Sequence, residues 1–441
     1  PHTRRVALRS AMVMSPDRGG VFDVLLRMAR LGLGGPVAGG GQYVSWIHDQ
    51  DFVAATVLLL ERDDLAGPVN LAAPGPLPQR ELMRVLRLAL VLSRADSFAW
   101  ITAGGDSRCV SSTDTGVASV LITANRQFVL TSNVEAERVE EEVTAHLGPG
   151  CMFETIAYPW HEEANSAILG ILAKMGVGTE RRYGADFALQ GSRDIHPLLT
   201  PLRVPFTPWE AQRYPGIGRG VSDAVERVCR MISRGMTERE IAGAVACELM
   251  GAGYTPTVLL IGADDRVRTR RHPIPTHKAL DRYCMIVVCA HLGGLTVALT
   301  RSVHFGAPAA DIAAAHLSAA RVHAAMMAVT RPGAAYQDVM AQAKAQYEAE
   351  GYPGEWQHHH QGGPIGYRDR EFFVAPDVTQ GTMQHNLAVA WNPSVTGAKS
   401  EDTLLLRSDG VDEVTSASAC WPMLEIPTPA GIVRRPDILI R

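Results

Sequence analysis

Three consecutive histidines, His358, His359 and His360, run into a glycine-rich turn, Gln361 to Gly366. A neutral imidazole, with an unperturbed pKa of about 6.5, can exchange a proton, ligate a metal or hold a substrate. On an extended strand only alternate histidines share a face, so an ordinary loop accounts for the run equally well. The seven cysteines (Cys109, Cys151, Cys229, Cys247, Cys284, Cys289 and Cys420) are scattered and odd in number, without a Cys-x-x-Cys pair. That argues against a disulfide framework and a thiolate zinc site, and it fits a reducing cytoplasm. Within MIVVCA (285–290) Cys289 reads as a small buried hydrophobe, although its thiol is also a soft ligand. The run LGLGGPVAGGG (31–41) invites comparison with a phosphate cradle. It lacks the strand–turn–helix setting and the following Lys-Ser/Thr, so a plain loop is expected.

The elements that must position these residues come from a chain of 441 residues, 46% hydrophobic, enough to bury two or three cores. A net charge of −4, from 42 basic and 46 acidic residues without a Lys/Arg block, supplies no footprint for nucleic acid. No apolar run approaches the roughly 20 residues that cross a bilayer, and no secretory signal pattern is seen, so no membrane partner is expected. Strand-like RRVALRSAMVM (4–14) is followed by helical WIHDQDFVAATVLLLER (46–62) and strand-like GPVNLAAP (67–74). From 91 to about 200, apolar strands (ALVLSR, FAWITAGG, VASVLITANRQFVLTS, FETIAYPW) alternate with helices (VEAERVEEEVTAHL, HEEANSAILGILAKM), which predicts an α/β layer. Prolines in LLTPLRVPFTPWEAQRYPG mark a boundary near residue 203. Beyond it lie two helices, the second opened by a Thr237–Glu240 capping box.

The stretches LGLGGPVAGGGQYVSWIHDQDFV and GPVNLAAPGPLPQRELMRVL make residues 1–88 resemble the C-terminal part of a sugar-nucleotide-epimerase-like short-chain dehydrogenase. The family's GxxGxxG turn and Tyr-x-x-x-Lys pair are missing here, so a truncated segment is expected, serving packing or dimer contacts at most. Residues 89–203, through SRADSFAWITAGGDSR and GVASVLITANRQFVLTSNVEAERVEEE, resemble the N-terminal α/β domain of creatinase and prolidase relatives. Residues 204–441 resemble the pita-bread domain of the creatinase/prolidase/methionine-aminopeptidase superfamily. The fold class implied is α+β: a pita-bread C-terminal domain with a creatinase-like α/β domain before it and the epimerase-like segment first.

Within RHPIPTHKALDRYCMIVVCAHLGGLTVALTRSVHFG (271–306) the resemblance implies His272 at the substrate-contacting histidine, Cys289 at the first metal Asp and Ala298 at the second, with Thr300 and Arg301 keeping the flanking T-R. In HHHQGGPIGYRDREF (358–372) it implies Gly363 at the ligand histidine, Gly366 at the turn glycine and Arg370 at the proton-shuttling histidine. In AWNPSVTGAKSEDTLLL (390–406), Asn392 replaces one Glu ligand and Glu401 keeps the other. A dinuclear site needs several carboxylates to offset charge and bridge the ions, so the resemblance implies a metal site largely dismantled and no cofactor, or else Mn, Co or Zn in a site rebuilt with Glu401 and the nearby histidines.

What remains suggests a protein that binds a peptide-like or small amino-acid-like ligand in a pocket lined by His272, His304, His359, His360, Arg368 and Arg370. The alternative is a metal-independent C–N hydrolase of creatinase type, with His272 as acid/base and Glu401 orienting it or a substrate cation. An interaction module, or an Xaa-Pro aminopeptidase with unusual ligands, are further readings. Creatinase-type relatives imply a homodimer.

Overall fold

The computed structural model describes residues 6–14, 42–62, 64–73, 76–78, 89–123, 126–144, 153–177 and 183–441. The glycine run 31–41 and Cys151 lie outside the described residues. By internal contacts the chain divides into two compact units: residues 1–93, 115–141 and 148–195 form one, and 94–114, 142–147 and 196–441 the other. The 94–114 segment thus groups with residues 196–441.

In the first unit, strand Val6–Ser10 pairs in parallel with Gly67–Leu71, and Met12–Met14 with Trp46–His48. Helix Asp49–Glu61 starts at His48, whose side chain accepts from Gln50 N, and two acids in its first turn suit the positive end of the helix dipole. A six-stranded sheet follows, in the order Phe153–Tyr158, Gln127–Ser132, Thr115–Ile122, Ala89–Arg94, Tyr183–Ala185, Arg193–Asp194. VASVLITANRQFVLTS thus folds as an antiparallel hairpin. Its core gathers Val91, Leu121, Phe128, Leu130, Ile168 and Leu172.

FAWITAGG was expected to be a strand, and Ala95–Ile101 is instead a helix in the second unit. A short apolar run does not declare its period. Here Ser97, Phe98, Ala99 and Thr102 are buried, and Thr102 Oγ1 donates back to the Phe98 carbonyl 2.7 Å away.

The second unit repeats one plan: two helices, then a four-stranded sheet. Helices Pro208–Met231 and Glu238–Gly251 each open with a capping box, Thr207 with Glu210 and Thr237 with Glu240. They precede a sheet ordered Thr255–Ala263, Tyr283–Leu292, Leu295–His304, Leu439–Ile440. Helices Ala310–Val329 and Tyr336–Ala349 precede a second sheet ordered Gly362–Pro364, Leu387–Trp391, Asp402–Arg407, Gly410–Glu413. Each half has its own core, one around Val225, Val228, Ile286 and Val288, the other around Val322, Met326, Tyr347 and Trp391. Among the described residues one helix, Ala310–Val329, is long and apolar enough by length and composition to cross a membrane, although Asp311, His316, Arg321 and His323 interrupt its apolar sequence. More than half of it is buried inside the unit, as befits a core helix.

Candidate functional site

Most of the candidate site residues fall into three neighbourhoods of the second unit, with His304 outside them. The first surrounds Glu401, which is 2% exposed. Its carboxylate accepts from Arg370 Nη2 at 2.8 Å, from Lys399 Nζ at 3.0 Å and from Thr300 Oγ1 at 2.9 Å. Burial alone would raise its pKa, but Lys399 and Arg370 hold it down to about 2. Arg301 beside Thr300 donates to Asp402 beside Glu401 at 3.0 Å, so the T-R and E-D pairs run side by side. Lys399 was overlooked in the sequence. Its signal was available, because Lys399 and Glu401 are two apart on an extended chain and can share a face.

The other positions implied for a dinuclear centre differ in kind. Cys289 and Ala298 are register partners on adjacent strands, both buried, and burial pushes the Cys289 thiol well up. A side chain at Gly363 has no room: a Cβ there would lie 2.3 Å from the Phe372 carbonyl oxygen. Asn392 is 2% exposed and its Oδ1 has no hydrogen-bond partner.

The second neighbourhood holds His272, His359 and His360, whose ligating atoms lie within 4.8 Å of one another. His272 Nε2 is 3.0 Å from His359 Nε2, and the His359 and His360 rings stack with centroids 4.3 Å apart. The 3-10 turn Glu355–His358 leads into this pair. Glu355 is ion-paired with Arg271, next to His272, and accepts from Thr396 N at 2.8 Å. Gln361 Nε2 donates to the His359 carbonyl at 2.6 Å while Tyr347 donates to Gln361 Oε1 at 2.9 Å. Burial and the Lys399 charge hold His359 at about 2, and burial and Arg370 hold His360 at about 3, so both are neutral. His272 is shifted down by burial and Lys399.

His272 bonds to His359, while Glu401 bonds to Lys399, Arg370 and Thr300 and acts on His272 through its charge. His304 is likewise not in this cluster. Its Nδ1 is 2.7 Å from the Gly306 carbonyl, and its ring lies against Tyr283.

The third neighbourhood is a cavity of about 280 Å³ lined by Arg94, Arg108 and Arg368, by Asp96, Asp114 and Asp369, and by Thr257, His291 and Tyr367. Asp96 ion-pairs with Arg203 at 3.2 Å and with Arg368 at 3.4 Å. Arg108 Nη2 lies 2.9 Å from His291 Nε2, and burial together with that cation lowers the imidazole to about 4. Asp369 accepts from Thr257 Oγ1 at 2.5 Å, and burial raises its pKa. Arg368, expected in one pocket with His272 and His360, lines this cavity with Arg108 and Asp369, which the sequence did not mark out.

Comparison with known proteins agrees with this architecture. Residues 217–408 match the family model Metallopeptidase family M24. The Xaa-Pro dipeptidase from Bacillus anthracis superposes with a TM-score of 0.62 at 14% identity, over 80% of this chain and 95% of that one. The prolidase from Pyrococcus furiosus gives 0.61 at 16% identity, over 75% and 96%. The N-terminal domain of FACT complex subunit SPT16 from Cicer arietinum gives 0.54 at 12% identity, over 75% and 91%. Among curated proteins, Epimerase family protein SDR39U1 of Homo sapiens is 36% identical over 88 residues, 20% of this chain. Epimerase family protein SERP0438 of Staphylococcus epidermidis is 35% identical over 79 residues, 18% of this chain. This chain spans only 30% of the former's length and 25% of the latter's.

The expectation of a protein without a cofactor is corrected at this point. The family matched over 217–408 is one of metallopeptidases, and three histidines converge close enough to hold an ion. Residues 217–408, somewhat less than half of the chain, thus match the Metallopeptidase family M24 model, the second unit shares the pita-bread fold of the solved prolidases, and the segment before it is epimerase-like.

Proposed function

We propose that the pita-bread unit binds a small amino-acid-like or peptide-like zwitterion in the 280 Å³ cavity, and does not cleave peptides at the superfamily's carboxylate-bridged centre. The observation that carries this reading is the cavity's wall, where three arginines face three aspartates. A carboxylate finds guanidinium forks there and an ammonium finds carboxylates, the pairing that charge-assisted hydrogen bonds favour. Its volume is near the lower end of the roughly 300–1,000 Å³ of ligand pockets, the size for an amino acid or dipeptide. Against peptide cleavage stand the Lys399 and Arg370 cations on Glu401 and the backbone that fills the space beside Gly363. A hydrolytic dinuclear centre needs its carboxylates free for metal.

Calorimetric titration of the full chain with amino acids and X-Pro dipeptides tests the proposal. Saturable one-to-one binding that weakens about tenfold or more in Arg368→Ala and Arg108→Ala is expected, the loss of a charge-assisted contact. Turnover of an X-Pro dipeptide with added Mn(II) or Co(II), abolished by Glu401→Gln, would overturn it.

A further inference from the structure

We propose that His272, His359 and His360 form a mononuclear site for a borderline divalent cation of the Zn(II) or Co(II) class, with Glu401 outside the ligand set. This does not depend on ligand binding in the arginine-lined cavity. Three imidazoles select zinc, cobalt, nickel or copper over the hard cations, which prefer oxygen donors.

The geometry is close to what such an ion needs. Two metal–nitrogen bonds of about 2.05 Å at a tetrahedral angle place their nitrogens about 3.3 Å apart. His272 Nε2 and His359 Nε2 stand at 3.0 Å, so an outward shift of a few tenths of an ångström admits the ion. His360 packs between His359 and Phe373, both at 4.3 Å between ring centroids. His359 Nδ1 and His360 Nδ1 are buried without a hydrogen-bond partner, a state that costs roughly 1–3 kcal/mol for each group. Among the described residues, no carboxylate or carbonyl partners either Nδ1.

The two segments that supply the ligands are joined by the Arg271–Glu355 ion pair, which fixes the residue before His272 to the turn before His359. Such outer contacts hold ligands in place and tune affinity by roughly 10–100-fold. Glu401 is taken by Lys399, Arg370 and Thr300. Because the two cations outnumber that carboxylate, the charge behind the histidines favours an anion, hydroxide or a ligand carboxylate, in the fourth position. His272 is exposed, so that position is reached from solvent.

The test uses the untagged full chain, stripped with a chelator and titrated with Co(II) and then Zn(II). The expected result is one ion per chain, with the intense visible bands of four-coordinate cobalt, bleached when zinc displaces it. His359→Ala and the exposed His272→Ala should each lower affinity by 100-fold or more, and Glu355→Gln by about tenfold through misplacement of the ligands. Thermal melting of the apo variants confirms that they fold, and dipeptide binding in the other cavity should be unchanged. A pale, six-coordinate cobalt spectrum, or equal affinity in wild type and both histidine variants, would show a stack of neutral rings only and overturn the assignment.

Discussion

Replacing Lys399 with methionine keeps the length of the side chain and removes one of two cations from a buried carboxylate. Glu401 is held at about 2 against an ordinary 4.5, and at about 1.4 kcal/mol per unit this is roughly 3 kcal/mol in favour of its charged form. Stripping one partner from a buried ion pair costs about 3–5 kcal/mol when nothing else remains. Glu401 retains Arg370 and Thr300, so the expected loss in Lys399→Met is about 2 kcal/mol. For a unit of this size that lowers Tm by about 4–8 °C. Urea unfolding of wild type, Lys399→Met, Glu401→Gln and the double variant measures it. The double variant should recover only part of the loss, since Glu401→Gln leaves the buried Arg370 guanidinium with a neutral partner in place of a carboxylate. A Lys399→Met protein within about 0.5 kcal/mol of wild type would refute the reasoning, because that is the scatter expected of a surface substitution. So would a Lys399→Met protein that regains full stability on adding Mn(II), since Glu401 would then be a metal ligand.

Arg203, fully buried between Glu371 and Asp96, should cost about 3–5 kcal/mol when changed to methionine, because both acids are left short of a partner; chemical denaturation reads this. Gly363→His should add no metal ion beyond any held by the three histidines and should destabilise the unit by a few kcal/mol, since its Cβ meets the Phe372 carbonyl. Elemental analysis and thermal melting check both parts, and a well-folded variant that gains a metal ion refutes it. Acid should weaken the fold through His291. Its native pKa of about 4 lies below the unfolded value of about 6.5, so the unfolded chain takes up the proton first. Stability is full above about pH 6.5 and falls by up to about 3 kcal/mol as pH drops to about 4. His291→Asn should flatten that part of the stability–pH curve.

The strands and helices of the second unit were legible because their apolar periods are long and their starts carry capping boxes such as Thr237–Glu240. FAWITAGG was not, because a short run with two aromatic and two β-branched residues satisfies either period. His304 was misplaced for a related reason: being on the strand that carries Ala298 and Thr300 says nothing of how far along it the site extends. Lys399 could have been read from its spacing to Glu401. The Arg271–Glu355 pair could not, since the two lie 84 residues apart and only the folded chain brings them together. The space at Gly363 is similarly a tertiary property, set by the carbonyl of Phe372.

The edge of the first sheet has a consequence for how this protein is made. Leu295–His304 gains its last neighbour only when Leu439–Ile440 pairs beside Val303 and His304. At roughly 5–20 residues per second, about 7 to 27 seconds of synthesis separate the two strands. Throughout that interval part of a long apolar strand presents unpaired backbone groups, the kind of edge on which other chains nucleate. Slowing translation between the two halves should therefore raise the aggregated fraction, and an upstream chaperone that shields such edges should lower it.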